Sequence, residues 1–279
     1  MYMTQSPSAE ILQALGERVG EVVAIAHDAG AAVLEVYQRH DLNGVSYKAD
    51  YSPLTEADVR SHEVIATALA HRFPGVPVVS EEGAPATALD ETVCWVVDPL
   101  DGTKEFVKRT GEFTVNIALV HRGEPVLGVV HAPVSGHTWY TASNGAWVIG
   151  PTGTTKLATR TPAPTAALRV VASRDHAGPL VQAMLQRLPN AQTLSVGSSL
   201  KFCLVAEGRA DLYFRDGPTM PWDTAAAHAV LRAAGGEVFA LTGAPLRYPS
   251  LRTLNPMFVA VGDPTFPWQA VVTDSSIIP

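Results

Sequence analysis

The sequence predicts an α/β sandwich in which helices and sheets alternate in layers across two lobes. Three observations carry this. Helical and strand patterns alternate along the chain, an antiparallel meander occupies Phe113 to Val148, and after a stretch rich in Pro, Gly and Thr (150–165) the pattern becomes a regular strand–helix alternation. The chain has 279 residues, 47% of them hydrophobic and 17% charged, enough apolar material to bury a sizeable core.

The elements follow in order. Residues 9–38 read as a long amphipathic helix, with Ile11, Leu15, Val19, Val22, Val23, Ala26, Val33 and Val36 at helical spacing. A second helix is expected from Glu56 to His71, stopping before Pro74. Val76 to Ser80 and Val93 to Val97 read as strands, the latter with the unbroken apolar character of a strand buried on both faces. The meander turns at His121-Arg122-Gly123 and Ser143-Asn144-Gly145. Beyond 165 come a strand (Leu168–Ala172), a helix (Ala177–Leu188), a strand (Thr193–Val196), a helix (Leu200–Glu207), a strand (Asp211–Phe214) and a helix from near Trp222 to Gly235-Gly236. This organises the chain as a single domain over 8–262, with lobes of 8–150 and 165–262. The segment 263–279, with two prolines within its first five residues, reads as a tail.

Net charge is −7, so no basic excess points to a nucleic-acid polymer. No apolar run is long enough to span a bilayer, and Met1 to Ala9 has neither the basic start nor the apolar stretch of a secretion signal. Cys94 and Cys203, each among apolar residues, read as buried free thiols in a reducing compartment. The expected location is the cytoplasm, with peripheral association at the inner membrane left open, and a homodimer is compatible with the reading. If the protein handles anions, metal ions are the obvious means of reversing the sign of an acidic site.

Chemistry concentrates in Asp98-Pro99-Leu100-Asp101-Gly102-Thr103-Lys104-Glu105-Phe106. A buried strand ends in an Asp, a proline fixes the next step, a second Asp follows, and then a glycine lets backbone approach a ligand. Two carboxylates this close repel unless a cation lies between them. Oxygen donors without Cys or His suit magnesium or manganese. Backbone N–H groups at Gly102 and Thr103 can receive a phosphate oxygen. The bland alternative is an Asp-Pro and an Asp-Gly turn in series. Three other acidic positions each have an ordinary explanation. Glu81-Glu82 ends a strand, Thr55 and Asp58 fit a helix capping box, and Asp223 precedes an Ala-rich run as a cap would.

Taken together, these segments resemble the inositol monophosphatase superfamily of lithium-sensitive, magnesium-dependent phosphatases. Ser52-Pro53-Leu54-Thr55-Glu56-Ala57-Asp58, the Asp101–Phe106 run, and Gly197-Ser198-Ser199-Leu200-Lys201-Phe202-Cys203 narrow the resemblance to the bacterial bisphosphate nucleotidases, over about residues 10–260. The resemblance implies a layered αβαβα sandwich. It implies metal binding by Glu81, Asp98, Asp101 and Asp223 with the carbonyl of Leu100, for two or three magnesium ions, with manganese as an alternative. Asp58 and Thr103, with Glu81, would position and activate the attacking water, and the Gly102–Thr103 backbone would hold the departing phosphate. Ser173, His176, Ser198, Lys201, Arg215 and Asp223 would contact the substrate. The implied substrate is a small doubly phosphorylated nucleotide such as 3'-phosphoadenosine 5'-phosphate, hydrolysed to AMP in sulfur assimilation. Inositol monophosphate or fructose 1,6-bisphosphate are alternative substrates of the same chemistry, and a non-catalytic nucleotide sensor is a third reading that the complete acidic set argues against.

Overall fold

The structure is a computed structural model, and it describes residues 17–39, 46–47, 53–83, 92–163, 166–173, 178–188 and 190–272. The first part of the expected 9–38 helix, His176 and residues 273–279 of the expected tail lie outside the described residues. The elements are α1 (Val19–Tyr37), β1 (Ser46–Tyr47), β2 (Pro53–Leu54), α2 (Glu56–Arg72), β3 (Val78–Ser80), β4 (Val93–Asp101), α3 (Thr103–Val107), β5 (Thr114–His121), β6 (Glu124–Ala132), β7 (His137–Ala142), β8 (Gly145–Gly150) and β9 (Gly153–Lys156). They continue with β10 (Arg169–Ser173), α4 (Pro179–Arg187), β11 (Gln192–Val196), α5 (Leu200–Ala206), β12 (Leu212–Arg215), a 3₁₀ turn (Pro221–Asp223), α6 (Ala225–Ala233), β13 (Glu237–Ala240), β14 (Phe258–Val261) and α7 (Trp268–Val272).

A seven-stranded sheet runs β3-β4-β5-β6-β7-β8-β9, antiparallel except for the β3–β4 pair. A five-stranded sheet runs β11-β10-β12-β14-β13. Period-two alternation explains how they stack. Along β4, Trp95 and Val97 pack with α1 and α2 on one face, while Cys94 and Val96 pack with α5 and α6 on the other. Along β12, Tyr213 faces the same central layer, and Leu212 and Phe214 face α4 and α7. The layers are therefore helix, sheet, helix, sheet, helix, as expected. β4 reads as continuously apolar because both of its faces are covered.

The central layer explains the Ala-rich run. Ala225, Ala226, Ala227 and Ala229 are buried between the two sheets. Only small side chains let α6 lie this close to β6, and a Cβ added at Gly128 would run into the Ala226 carbonyl oxygen.

Two expectations are corrected. The stretch 150–165 carries β9, which pairs with β8, so the large sheet runs to Lys156 and not to 150. The segment from 263 is not a tail up to 272, because α7 packs on the small sheet with Trp268 and Val272 buried beside Val181 and Met184. The prolines precede the helix, where proline does not break it, and burial of the tryptophan anchors the segment. β13 and β14 were not anticipated either. Each is four residues long. Both cysteines are buried and free, and among the described residues no helix is long and apolar enough to cross a membrane.

Candidate active site

The site begins with a bulge. In β4, Asp98 pairs with Asn116 and Asp101 with Thr114, so three steps on one strand match two on its neighbour. In a regular strand, residues three apart face opposite sides of the sheet, and the extra residue brings the two aspartates to one side. The turn is pinned from two directions. The Leu100 N–H donates to Asp98 Oδ1 (3.0 Å), and the Ser61 hydroxyl of α2 donates to the Pro99 carbonyl (2.7 Å). Gly102 then takes a left-handed conformation (φ 92°, ψ 41°), which glycine tolerates without strain, and the single helical turn α3 opens at Thr103.

Glu81 follows β3, its N–H bonded to the Val97 carbonyl (3.1 Å). Asp223 ends the 3₁₀ turn before α6, and one of its oxygens accepts the Met220 N–H (2.8 Å). Carboxylate oxygens of Glu81, Asp98 and Asp223 all lie within 4.8 Å of one another. Burial, followed by the neighbouring Glu81, Asp101 and Asp223, holds the Asp98 carboxyl well above the usual carboxylate range. Burial, with Asp101 next, pushes Asp223 up to about 8. A cluster of oxygens that raises its own proton affinity this way suits a hard divalent cation, which relieves the repulsion while accepting the same oxygens. These three carboxylates can therefore hold a metal. Asp101 and Leu100 line the same cavity, though Asp101 stands outside the trio.

Asp58 serves two partners. Its Oδ2 accepts the Thr55 N–H (2.8 Å) and hydroxyl (2.6 Å), completing the capping box of α2. Its Oδ1 accepts the Thr103 hydroxyl (3.2 Å), which also lies 3.2 Å from the Leu100 carbonyl. The capping role and the placement beside Thr103 coexist because a carboxylate has two oxygens.

The cavity has a volume of about 310 Å³ and continues past Gly102 and Thr103 to Ser198, Lys201 and Arg215. Lys201 is buried against Tyr213, its ammonium 5.7 Å from the ring centroid, and burial brings its pKa down to about 8. Arg215 ends β12, where its guanidinium bonds to the carbonyls of Gly217 and Pro218. Ser173, Val196 and Arg215 all stand at the carboxyl ends of parallel strands, and Ser173 is opposite Val196 in register. Ligands favour such an edge. Only the backbone of Ser173 is described, so the structure brings together every expected site residue except the Ser173 side chain and His176.

Sequence reasoning missed Thr114, Asn116 and Ser199. Ser199 donates its N–H to Asp101 Oδ2 (2.6 Å), and Asn116 Nδ2 lies 3.3 Å from the same oxygen. The available signal was two polar residues at alternate positions of an otherwise apolar strand, Thr114-Val115-Asn116-Ile117.

The chain is similar to known proteins over most of its length. The sequence pattern of the inositol monophosphatase family matches residues 17–260. The chain is 48% identical over 241 residues to the 3'(2'),5'-bisphosphate nucleotidase CysQ of Escherichia coli K12, covering 85% of this chain and 97% of the relative. It is 36% identical to the protein of the same name from Haemophilus influenzae, covering 91% and 96%. The crystal structure of CysQ from Bacteroides thetaiotaomicron, described as a bacterial member of the inositol monophosphatase family, superposes with a TM-score of 0.77 at 38% identity, covering 88% of this chain and 98% of that one. With the layered fold, the bulged pair of aspartates and a family match across nearly all the described residues, this chain belongs to the inositol monophosphatase family.

Proposed function

We propose that this chain is a magnesium-dependent 3'(2'),5'-bisphosphate nucleotidase that hydrolyses 3'-phosphoadenosine 5'-phosphate to AMP and phosphate. The observation that carries the reading is one cavity lined both by the carboxylate trio and by Lys201 and Arg215. Two phosphates need two cationic environments, and the names of the 48% identical relatives favour a nucleotide carrying them. The two buried free thiols favour the cytoplasm.

Glu81, Asp98 and Asp223, with Asp101 and the Leu100 carbonyl, would hold two or three magnesium ions. Magnesium bound there would lower the pKa of the attacking water and stabilise charge on the phosphoryl oxygens. Asp58 and Thr103 hold the nucleophilic water and take up its proton. The Gly102–Thr103 backbone opens a helical turn whose first N–H groups have no intrahelical partners, and these receive the oxygens of the departing phosphate. The water oxygen bonds to phosphorus as its proton passes to Asp58, the P–O bond to the ribose breaks, and the ribose oxygen takes a proton from a second, solvent water. Ser173, His176, Ser198, Lys201 and Arg215 hold the remaining nucleotide.

The test is phosphate release from 3'-phosphoadenosine 5'-phosphate, inositol 1-phosphate and fructose 1,6-bisphosphate, with magnesium, with chelator and with lithium. The nucleotide is expected to be strongly preferred, with turnover lost on chelation and reduced by lithium. Asp101→Asn should lower kcat by roughly 100-fold or more, since metal charge stabilisation amounts to several kcal/mol. Better turnover of either sugar phosphate overturns the nucleotide assignment.

A further inference from the structure

Four buried polar side chains form a hydrogen-bond circuit at the seam between the sheets. Thr114 and Asn116 come from β5, and Ser198 and Ser199 from the turn between β11 and α5. Their exposures are 0%, 1%, 9% and 2%. Buried polar groups without partners are costly, so the direction of each bond matters. The Thr114 hydroxyl donates to Asn116 Oδ1 (2.9 Å), which leaves Ser198 to donate to Thr114 (2.7 Å). Asn116 Nδ2 donates to Ser199 Oγ (2.9 Å) and to Asp101 Oδ2 (3.3 Å). The Ser199 hydroxyl donates to the Asp223 carbonyl (2.8 Å), and its N–H to Asp101 Oδ2 (2.6 Å). The protons therefore run from Ser198 toward the backbone of Asp223, the Ser199 N–H and Asn116 Nδ2 fall on one oxygen of Asp101, and the Thr114 hydroxyl lies 3.5 Å from that same oxygen.

Ser199 sits at the N-cap of α5, where a serine ordinarily accepts a backbone N–H of its own helix. Its side chain makes no such bond. The hydroxyl is used across the seam instead, between a residue of the large sheet and the turn that carries Asp223.

We propose that Asn116 and Ser199 are positioning residues that set the orientation of the Asp101 carboxylate and its separation from Asp223. They commit one Asp101 oxygen to protein donors, leave the other as the ligand atom, and fix the Asp223 backbone to the same point. The inference rests on the reading of Asp101 and Asp223 as metal ligands. The apolar core between the sheets joins the lobes independently, so loss of the circuit should loosen metal geometry more than it loosens the fold.

The experiment is calorimetric titration of manganese into the substrate-free protein, its Ser199→Ala and Asn116→Ala variants and the double variant, together with the metal-free melting temperature of each. Each single variant is expected to bind manganese roughly 10- to 100-fold more weakly, the range for groups that orient metal ligands. The double variant should be no weaker than the weaker single, because both act through one circuit. Ser199→Ala keeps the N–H on Asp101 and removes the hydroxyl that joins Asn116 to the Asp223 carbonyl, so unchanged manganese affinity in it overturns the proposal, whatever its melting temperature, because a merely structural role lowers stability alone. If Asn116→Ala does not fold, Ser199→Ala decides, since it removes one oxygen that caps no helix. Absence of manganese binding in the parent protein overturns the metal reading itself, which separates that failure from failure of the positioning role.

Discussion

Asp98 and Asp223 are carboxyls whose proton affinity is raised by burial and by each other's neighbours, and this gives metal binding a direction with pH. A cation needs the deprotonated oxygens, so below the Asp223 value of about 8 it must displace a proton. For one proton, affinity should weaken about tenfold per pH unit below that value, and the raised Asp98 carboxyl adds to the dependence. Manganese titrations at pH 6.5, 7.5 and 8.5 test this, and an affinity independent of pH would sink it. The stability sign is opposite to that of an ordinary salt-bridged aspartate. In the metal-free protein Asp223 binds more protons folded than unfolded between the normal carboxylate range and about 8, and Asp98 does so from the normal carboxylate range upward. Their contribution therefore destabilises the fold as pH rises through that window. Bound metal removes the effect.

At the scale of elements, the crossing of α6 over β6 joins fold to site. Gly128 lies under the α6 backbone at Ala226, one turn after Asp223, and a Cβ there would overlap the Ala226 carbonyl and stand 3.0 Å from the Ala229 Cβ. A helix fixed between two sheets cannot easily retreat. Gly128→Ala is therefore expected to cost about 3 kcal/mol, the upper part of the overpacking range. It should also reduce metal affinity, because the shift carries Asp223 away from Glu81 and Asp98. A denaturant midpoint within error of the parent would show that the layer yields. The same crossing shows what was legible in the sequence. The Ala-rich run after Trp222-Asp223 marked a helix but did not disclose that it lies between two sheets, because smallness on every face looks the same whether it serves propensity or packing. The long elements α1, α2, β4 and the meander were legible because periodicity accumulates over their length. β9, β13, β14 and α7 were not: β9 is exposed along its length within a stretch rich in Pro, Gly and Thr, and α7 follows two prolines that read as the start of a tail. At the site, Glu81, Asp58 and Asp223 had an ordinary local explanation each, and only their combination with Asp98 and Asp101 pointed to a metal. The structure shows why combination was needed: Asp58 does cap α2, and Asp223 does cap its own turn, with one oxygen each.

Across the whole molecule, the trio ties distant parts of the chain. Glu81 and Asp98 extend from the large sheet, while Asp223 comes from the central helical layer between the two sheets. Without a cation the three carboxylates oppose this closure, and with one they cross-link it. Magnesium at 100 times its dissociation constant should therefore stabilise the fold by about 2.7 kcal/mol. For a chain of this length that is a rise in melting temperature of roughly 5–10 °C, to be read by calorimetry with magnesium and with chelator. Asp223→Asn separates the two contributions. Above pH 8 it removes a carboxylate that is buried among like charges, so in chelator at pH 8.5 the variant should melt at or above the parent temperature, and the increment on adding magnesium should largely disappear. A variant that melts lower in chelator and keeps the full magnesium increment would mean that Asp223 serves the turn before α6 and not the cation, since only its bond to the Met220 N–H would then matter.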